Sequence, residues 1–362
     1  MLSVAIVGPG LVGEALIKMI HDYSQSLRAI TVPIQLVAIT NSRKMIFGDS
    51  SPINPNEWKS IISSDKAQPA DIPAFIKQLA QKHVPGKTAI IDCTSNESIA
   101  NNYLEWLNLG FNVITPNKKA FSGSIDLWNQ LRAFRTKQGA PLILHEATVG
   151  AGLPVLSTLN NLVDSGDKII KVEGILSGTL SFLFCEFSNG TLNGKPFSEI
   201  VKIAKANGFT EPDPRDDLSG LDVARKATIL ARISGANIEL DQLALENIVP
   251  EPLRPTPTAD EFMSKLPEFD DHFSALNKAA YEKGEVLRYV ASIDIENKDY
   301  RVELKSFPKS HPFASLSPGD NIISFKTKYF PNPLTIQGAG AGAEVTSFGI
   351  FCDILKTAEV SK

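Results

Sequence analysis

The stretch TEPDPRDDLSGLDVARK, residues 210–226, gathers acids and a lysine where a loop runs into a helix. Asp222 and Lys226 are four apart, which puts them on one helix face; exposed, such a pair contributes roughly 0.2–0.5 kcal/mol. Lining a cleft, the same pair takes on a different meaning. A lysine beside carboxylates can hold a proton, donate it to a developing alkoxide and recover it from solvent, which is general acid catalysis. The spacing alone leaves two readings open: a proton-transfer site, or a capping acid with a solvated lysine. Ser219 followed by Asp222 has the capping-box spacing. Leu221, Ala224, Ala227, Ile229, Leu230 and Ile233 then recur at roughly helical period, so a helix is predicted from there onward.

Near the N-terminus, VAIVGPGLVGEALIKMI reads as an apolar strand, a GxGxxG turn (Gly8, Gly10, Leu11, Val12, Gly13) and an amphipathic helix. In that context Gly8 permits the tight turn, Gly10 lets backbone approach a pyrophosphate, Gly13 allows close strand–helix packing, and the helix N-terminus supplies oriented N–H groups. Dinucleotide binding is the expectation. An NAD-specific site would place an acid after the second strand to hold the ribose hydroxyls. That strand reads IQLVAIT and is followed by Thr40, Asn41, Ser42, Arg43 and Lys44. Arg43 and Lys44 could accommodate a 2′-phosphate, so NADPH is favoured and NADH remains possible. TAIIDCTS and FNVITPNKKAF look like two further buried parallel strands. Thr94 and Ser95 close the first, Asn117, Lys118 and Lys119 the second, where an open α/β sheet places its ligands. One crossover helix is predicted between them, from about Glu97 to Leu109.

His145-Glu146 begins a zinc-protease HExxH pattern, but Val149 occupies the fourth position after His145 and ends that reading. His21, His83, His272 and His311 are scattered. The glycine-rich turn after Glu146 could still bind a hard monovalent cation through backbone carbonyls.

At 362 residues the chain exceeds the length at which single cores stop growing, so two domains are expected. A net charge of −4 with no basic concentration argues against nucleic acid. Cys93, Cys185 and Cys352 lack CxxC spacing and read as core thiols in a reducing compartment. No apolar run reaches membrane-helix length and the first strand begins by Val4, so a cytoplasmic protein is expected. The acceptor patterns at Asn96 and Asn189 then carry no glycan.

Beyond residue 155 the βαβ pattern gives way to longer helices and to IIKVEGIL, VLRYVASIDI, YRVELKSF and NIISFKTKYF, strands of a mixed sheet. Five prolines between Pro250 and Pro267 mark a peripheral loop leading to a short helix, to which no chemistry is assigned. Gly338, Gly340 and Gly342 precede a final apolar helix and could bring backbone, at Gly342 especially, against the cofactor. The predicted fold is α/β. Residues 1–150 form a Rossmann-type doubly wound parallel sheet, residues 151–337 a second α+β domain on a mixed sheet, and residues 338–362 return to the first domain.

Taken together, GPGLVG, TPNKKAF, HEATVGAGLP, GILSGTLSF and TEPDPRDDLSGLDVARK resemble the homoserine dehydrogenase family across essentially the whole chain, especially the short fungal form. The resemblance implies NAD(P)H-dependent reduction of L-aspartate 4-semialdehyde to L-homoserine, on the branch to threonine and methionine. It makes Lys226 the proton donor, with Lys118 assisting, and makes Glu211 and Asp222 the substrate-binding acids. It also implies that Glu146 and the backbone carbonyls of Val149, Ala151 and Leu153 hold a structural sodium ion. A homodimer built through the second sheet, with the strands from Ile169 and Val286, follows from it too. The rivals are another NADPH-dependent enzyme for an amino-acid semialdehyde, and a non-catalytic NADPH sensor.

Overall fold

The structure is a computed structural model that describes residues 1–48 and 51–361. It divides into two compact units, Met1–Gly152 with Ala341–Lys362, and Leu153–Gly340.

In the first unit, strands β1 (Leu2–Val7), β2 (Ile34–Thr40), β3 (Lys44–Phe47), β4 (Gln68–Pro69), β5 (Thr88–Asp92), β6 (Asn112–Ile114) and β7 (Ile143–Leu144) lie in the order β4-β3-β2-β1-β5-β6-β7. The β2-β1-β5-β6-β7 portion is parallel. All six residues of β1 are buried, as a parallel strand covered on both faces requires. Val4 and Ile6 pack with Leu16, Ile17 and Ile20 of the Leu11–Ser24 helix and with Ile350 and Ile354 of the C-terminal helix Ala343–Val360.

The sheet is not parallel throughout. β3 returns antiparallel beside β2, and β4 pairs antiparallel with β3. Only three residues separate β2 from β3, far fewer than a parallel crossover needs. The Asn41 side-chain oxygen fixes that reversal by accepting the Arg43 and Lys44 amides at 2.8 and 2.7 Å. Between β5 and β6 the expected single helix is two, Glu97–Ala100 and Tyr103–Asn108. The Asn102 side chain donates to the carbonyls of Ser98 and Ile99 there, taking acceptors that a continuous helix would use.

The second unit is built on β8 (Ile169–Ile175), β9 (Ala244–Leu245), β10 (Glu285–Asp294), β11 (Asp299–Pro308), β12 (Asp320–Thr327) and β13 (Leu334–Ala339), in the order β13-β12-β8-β10-β11-β9. Only the β9–β11 pair is parallel, so the sheet is mixed. β13 is not among the expected strands. Its glycine at 338 disguises a segment that pairs with β12 from Leu334 to Ala339. The helices Gly178–Phe187, Leu221–Ile233 and Asp270–Glu282 pack against β10. Along β12, Asn321, Ile323, Phe325 and Thr327 are buried, while Ser324 and Lys326 are not. The Ser324 side belongs to the sheet face that also carries Glu173, paired with Lys171 at 2.8 Å and Lys305 at 3.2 Å. The proline-rich excursion holds a short helix, Ala259–Lys265.

Candidate active site

Site residues of the first unit collect at the carboxyl ends of its parallel strands. Gly8 has φ +82, and a Cβ there would lie 2.5 Å from Thr94 Cγ2; a Cβ on Gly13 would lie 2.7 Å from the Gly8 carbonyl. Gly10 faces open space, with no atom within 4 Å of where its Cβ would stand. Gly8 and Gly13 are therefore required by packing, whereas Gly10 leaves backbone accessible beside the first turn of the helix, where Leu11 is 83% exposed. Ser347 ties the C-terminal helix to this turn, its hydroxyl donating to the Val12 carbonyl at 2.7 Å. Gly342, at the N-terminus of that helix with φ +107, also faces open space.

Beneath the Thr94-Ser95 and Asn117-Lys118 turns lies a network that gave no signal in the sequence. Asp92 is fully buried and accepts from the Thr94 amide at 2.8 Å, the Tyr103 hydroxyl at 2.5 Å and the Asn117 side chain at 3.0 Å. Asn117 also donates to the Asn96 carbonyl at 2.9 Å, which joins the two turns. Burial pushes the Asp92 carboxyl above the ordinary range, and the donated hydrogen bonds pull it back. At the end of β2, Arg43 is exposed, but the Lys44 amino group donates to the carbonyls of Ser63 and Ser64 at 3.4 and 3.1 Å. Of those two cations, Arg43 is the one left facing solvent.

Lys226, Asp222 and Glu211 belong to the second unit, so Lys118 and Lys226 come from different units. The helix carrying Asp222 and Lys226 spans Leu221–Ile233, but its start differs from the expected capping box. Gly220, with φ +74, precedes its first turn, and Ser219 belongs to the end of the short helix Pro214–Leu218. A Cβ on Gly220 would lie 2.0 Å from the Tyr289 hydroxyl oxygen, so only glycine allows the chain to turn there. One turn into the helix, the Lys226 side chain is 12% exposed, its ammonium 2.8 Å from Asp222 Oδ2 and donating to the Leu176 carbonyl at 2.8 Å. Asp222 is half exposed and Glu211 exposed.

Asp217 is the acid that sequence reasoning passed over. It accepts the Glu211 amide at 2.8 Å, and the Thr179 hydroxyl lies within its hydrogen-bonding reach. Burial, with the like charges of Glu211 and Asp222 adding to it, raises its carboxyl above the ordinary range. Arg215 braces the loop: it pairs with Asp213 and donates to Thr256 Oγ1 at 2.8 Å, so the proline-rich segment supports the acids. The arrangement offers a nearly buried ammonium paired with Asp222, and an Asp217 carboxyl that feels the charges of both Glu211 and Asp222.

Glu146 is buried and opens a 3-10 turn. Asp353 of the C-terminal helix accepts its amide at 2.9 Å, and the Lys356 ammonium is 3.6 Å from its carboxylate. Gly150 and Ala151 follow in successive left-handed conformations, φ +77 and +52. Val149 and Ala151 are buried, and among the described residues no donor reaches their carbonyls. Leu153 begins the second unit, and its carbonyl accepts the Val155 amide at 2.7 Å. No cluster of three or more His, Cys, Asp or Glu suited to a metal occurs among the described residues. A buried carboxylate with unpaired carbonyls nonetheless fits a hard cation of low charge.

Comparison with known proteins matches residues 8–145 to the family model described as homoserine dehydrogenase, NAD binding domain, and residues 154–355 to homoserine dehydrogenase. A bifunctional aspartokinase/homoserine dehydrogenase of Zea mays is 46% identical over 359 residues, covering 99% of this chain and 38% of the relative. The chain thus spans about two fifths of the length of the plant relatives it matches. The homoserine dehydrogenase of Schizosaccharomyces pombe is 44% identical over 360 residues, covering 98% of this chain and 95% of the relative. Among solved structures, a Candida auris protein of unknown function superposes with a TM-score of 0.92 at 40% identity, covering 99% of this chain and 98% of that one.

Proposed function

This chain belongs to the homoserine dehydrogenase family, and we propose that it catalyses the reversible, NAD(P)H-dependent reduction of L-aspartate 4-semialdehyde to L-homoserine. The reading is carried by Lys226, a nearly buried ammonium held between Asp222 and the Leu176 carbonyl. The reduced nicotinamide, when bound, supplies the hydride to the aldehyde carbon. Lys226 gives a proton to the carbonyl oxygen as negative charge develops there, and Asp222 keeps the ammonium in place until then. In the oxidising direction the lysine takes the hydroxyl proton back. Glu211, Asp217 and Asp222 offer the carboxylates that a substrate α-ammonium requires, and Lys118 contributes a cation from the end of β6.

The first unit carries the family's NAD-binding domain. Gly8, Gly10, Leu11, Val12 and Gly13 form the pyrophosphate turn, with Thr94, Ser95, Lys118 and Gly342 around it. NADPH preference is supported by Arg43 and by the lack of an acid after β2. Glu146 with the carbonyls of Val149, Ala151 and Leu153 holds sodium, which is structural because so weakly charged an ion is a poor Lewis acid beside zinc. The protein works as a cytoplasmic homodimer whose interface is the Lys171–Glu173 face of the second sheet. No helix among the described residues is long and apolar enough to cross a membrane.

The test follows NADPH absorbance with purified protein and L-aspartate semialdehyde. Wild type oxidises NADPH, and Lys226→Ala turns over about 10²–10⁴-fold more slowly while still binding the nucleotide. Failure of folded, nucleotide-binding wild type to oxidise NADPH overturns the reaction, and an unimpaired Lys226→Ala overturns the assignment of the acid.

A further inference from the structure

We propose that a cavity of about 350 Å³ in the second unit, lined by Arg288, Lys309 and Cys185, binds a small carboxylate that carries no ammonium group. The cavity lies where the segment after β11 folds back over the sheet, and its lining contains both cations and no acid. Arg288 on β10 is 3% exposed. All its hydrogen-bond acceptors are backbone carbonyls: Phe313 at 3.0 Å from Nε, Phe184, Ser188 and Leu287 from Nη1, and Ala314 at 2.8 Å from Nη2. Nη2 carries two hydrogens and gives one to Ala314, a residue that lines the cavity with Arg288, so one N–H is left over at the cavity wall.

A guanidinium buried without a carboxylate is costly, because carbonyl dipoles return only part of the hydration it has lost. Part of this arrangement is structural, since Phe184 and Ser188 lie at the carboxyl end of the Gly178–Phe187 helix, where a cation is favoured. That role does not require a cavity, nor a second cation at its rim. The Lys309 ammonium is exposed there, held loosely by the Gly190 carbonyl at 3.3 Å and by the Tyr281 ring. Glu186, the acid whose charge Cys185 feels, is exposed and does not line the cavity.

The remaining lining sets the shape of the ligand. Leu316, Pro318 and Val286 accept a short aliphatic body, while Arg288 and Lys309 take the carboxylate. An α-amino acid is disfavoured, because nothing acidic lines the cavity to receive its ammonium. The site therefore differs in kind from the acid-rich cluster around Lys226, which suits a zwitterion.

Calorimetric titration of the full chain with propionate, alanine and propylammonium tests the assignment. Propionate binds saturably in the Arg288–Lys309 cavity, whereas alanine and propylammonium, whose ammonium the acids around Lys226 can receive, bind without dependence on Lys309. Arg288→Ala removes a helix cap and is open to misfolding, so the informative variant is Lys309→Glu, an exposed change that leaves dehydrogenase turnover intact. Reversing one rim charge weakens propionate binding roughly tenfold. Propionate could also enter the acid-rich site, but binding there would be indifferent to Lys309. Equal propionate affinity in wild type and Lys309→Glu, no saturable propionate binding by wild type, or alanine or propylammonium binding weakened by Lys309→Glu as much as propionate binding overturns the proposal.

Discussion

Asp217 and Asp92 show how much depends on the surroundings of single carboxylates. Asp217 is pushed up by burial and by the neighbouring charges of Glu211 and Asp222. Its ionised form is the one able to hold a substrate ammonium, so binding weakens as pH falls and the carboxyl takes up a proton. Because the shift is upward, the acid limb of kcat/KM is expected above the ordinary aspartate value of about 4. Asp217→Asn removes that limb and raises KM by about tenfold to a hundredfold, the worth of a charged hydrogen bond. An unchanged KM would make Asp217 only a brace for the Glu211 amide. Asp92 has no such role in binding. Asp92→Ala leaves the Thr94 N–H and one Asn117 N–H without an acceptor and the Tyr103 hydroxyl with Thr115 Oγ1 instead, at a cost of about 3 kcal/mol in urea unfolding.

The elements that present these residues depend on glycines for separable reasons. Gly13 is held against the Gly8 carbonyl and Gly10 faces open space. Gly13→Ala should therefore lower the melting temperature as well as nucleotide affinity. Gly10→Ala should leave the melting temperature alone and weaken only NADPH binding; a large fall in its melting temperature would mean that Gly10 is a packing residue after all. Gly220 combines both problems, a left-handed backbone and the Tyr289 hydroxyl 2.0 Å from any Cβ. Gly220→Ala is expected to cost more than about 2 kcal/mol. It should also reduce turnover, because the helix that starts there carries Asp222 and Lys226.

For the whole molecule, the proposed sodium site and the proposed dimer have separate tests. Replacing sodium with tetramethylammonium at constant ionic strength should lower the melting temperature of wild type and leave Glu146→Leu unaffected. Equal responses would mean that Lys356 alone supplies the positive charge at Glu146. Thr335 is exposed on β13, with its hydroxyl 2.9 Å from Ser324, on the face proposed to meet a second copy. Thr335→Arg should convert a dimer to monomers by light scattering, and a dimer that persists places the interface elsewhere.

What the sequence determined by itself is what spacing encodes locally. GxGxxG between an apolar strand and an amphipathic helix implied the nucleotide turn, because the requirements for small residues fall within six positions. The i, i+4 relation of Asp222 and Lys226 implied their shared helix face, since helical geometry fixes it. Alternating patterns located β8, β10, β11 and β12. β13 escaped, its short alternation ending in glycines, and so did the antiparallel return of β3, which turns on the Asn41 side chain. Tertiary structure alone decided which of the five acids between Glu211 and Asp222 was buried enough to be raised. It also decided that the Lys44 amino group was occupied by Ser63 and Ser64, and that Arg288 was enclosed without an acid. Burial and charge environment are properties of neighbours distant in sequence, and no local spacing records them.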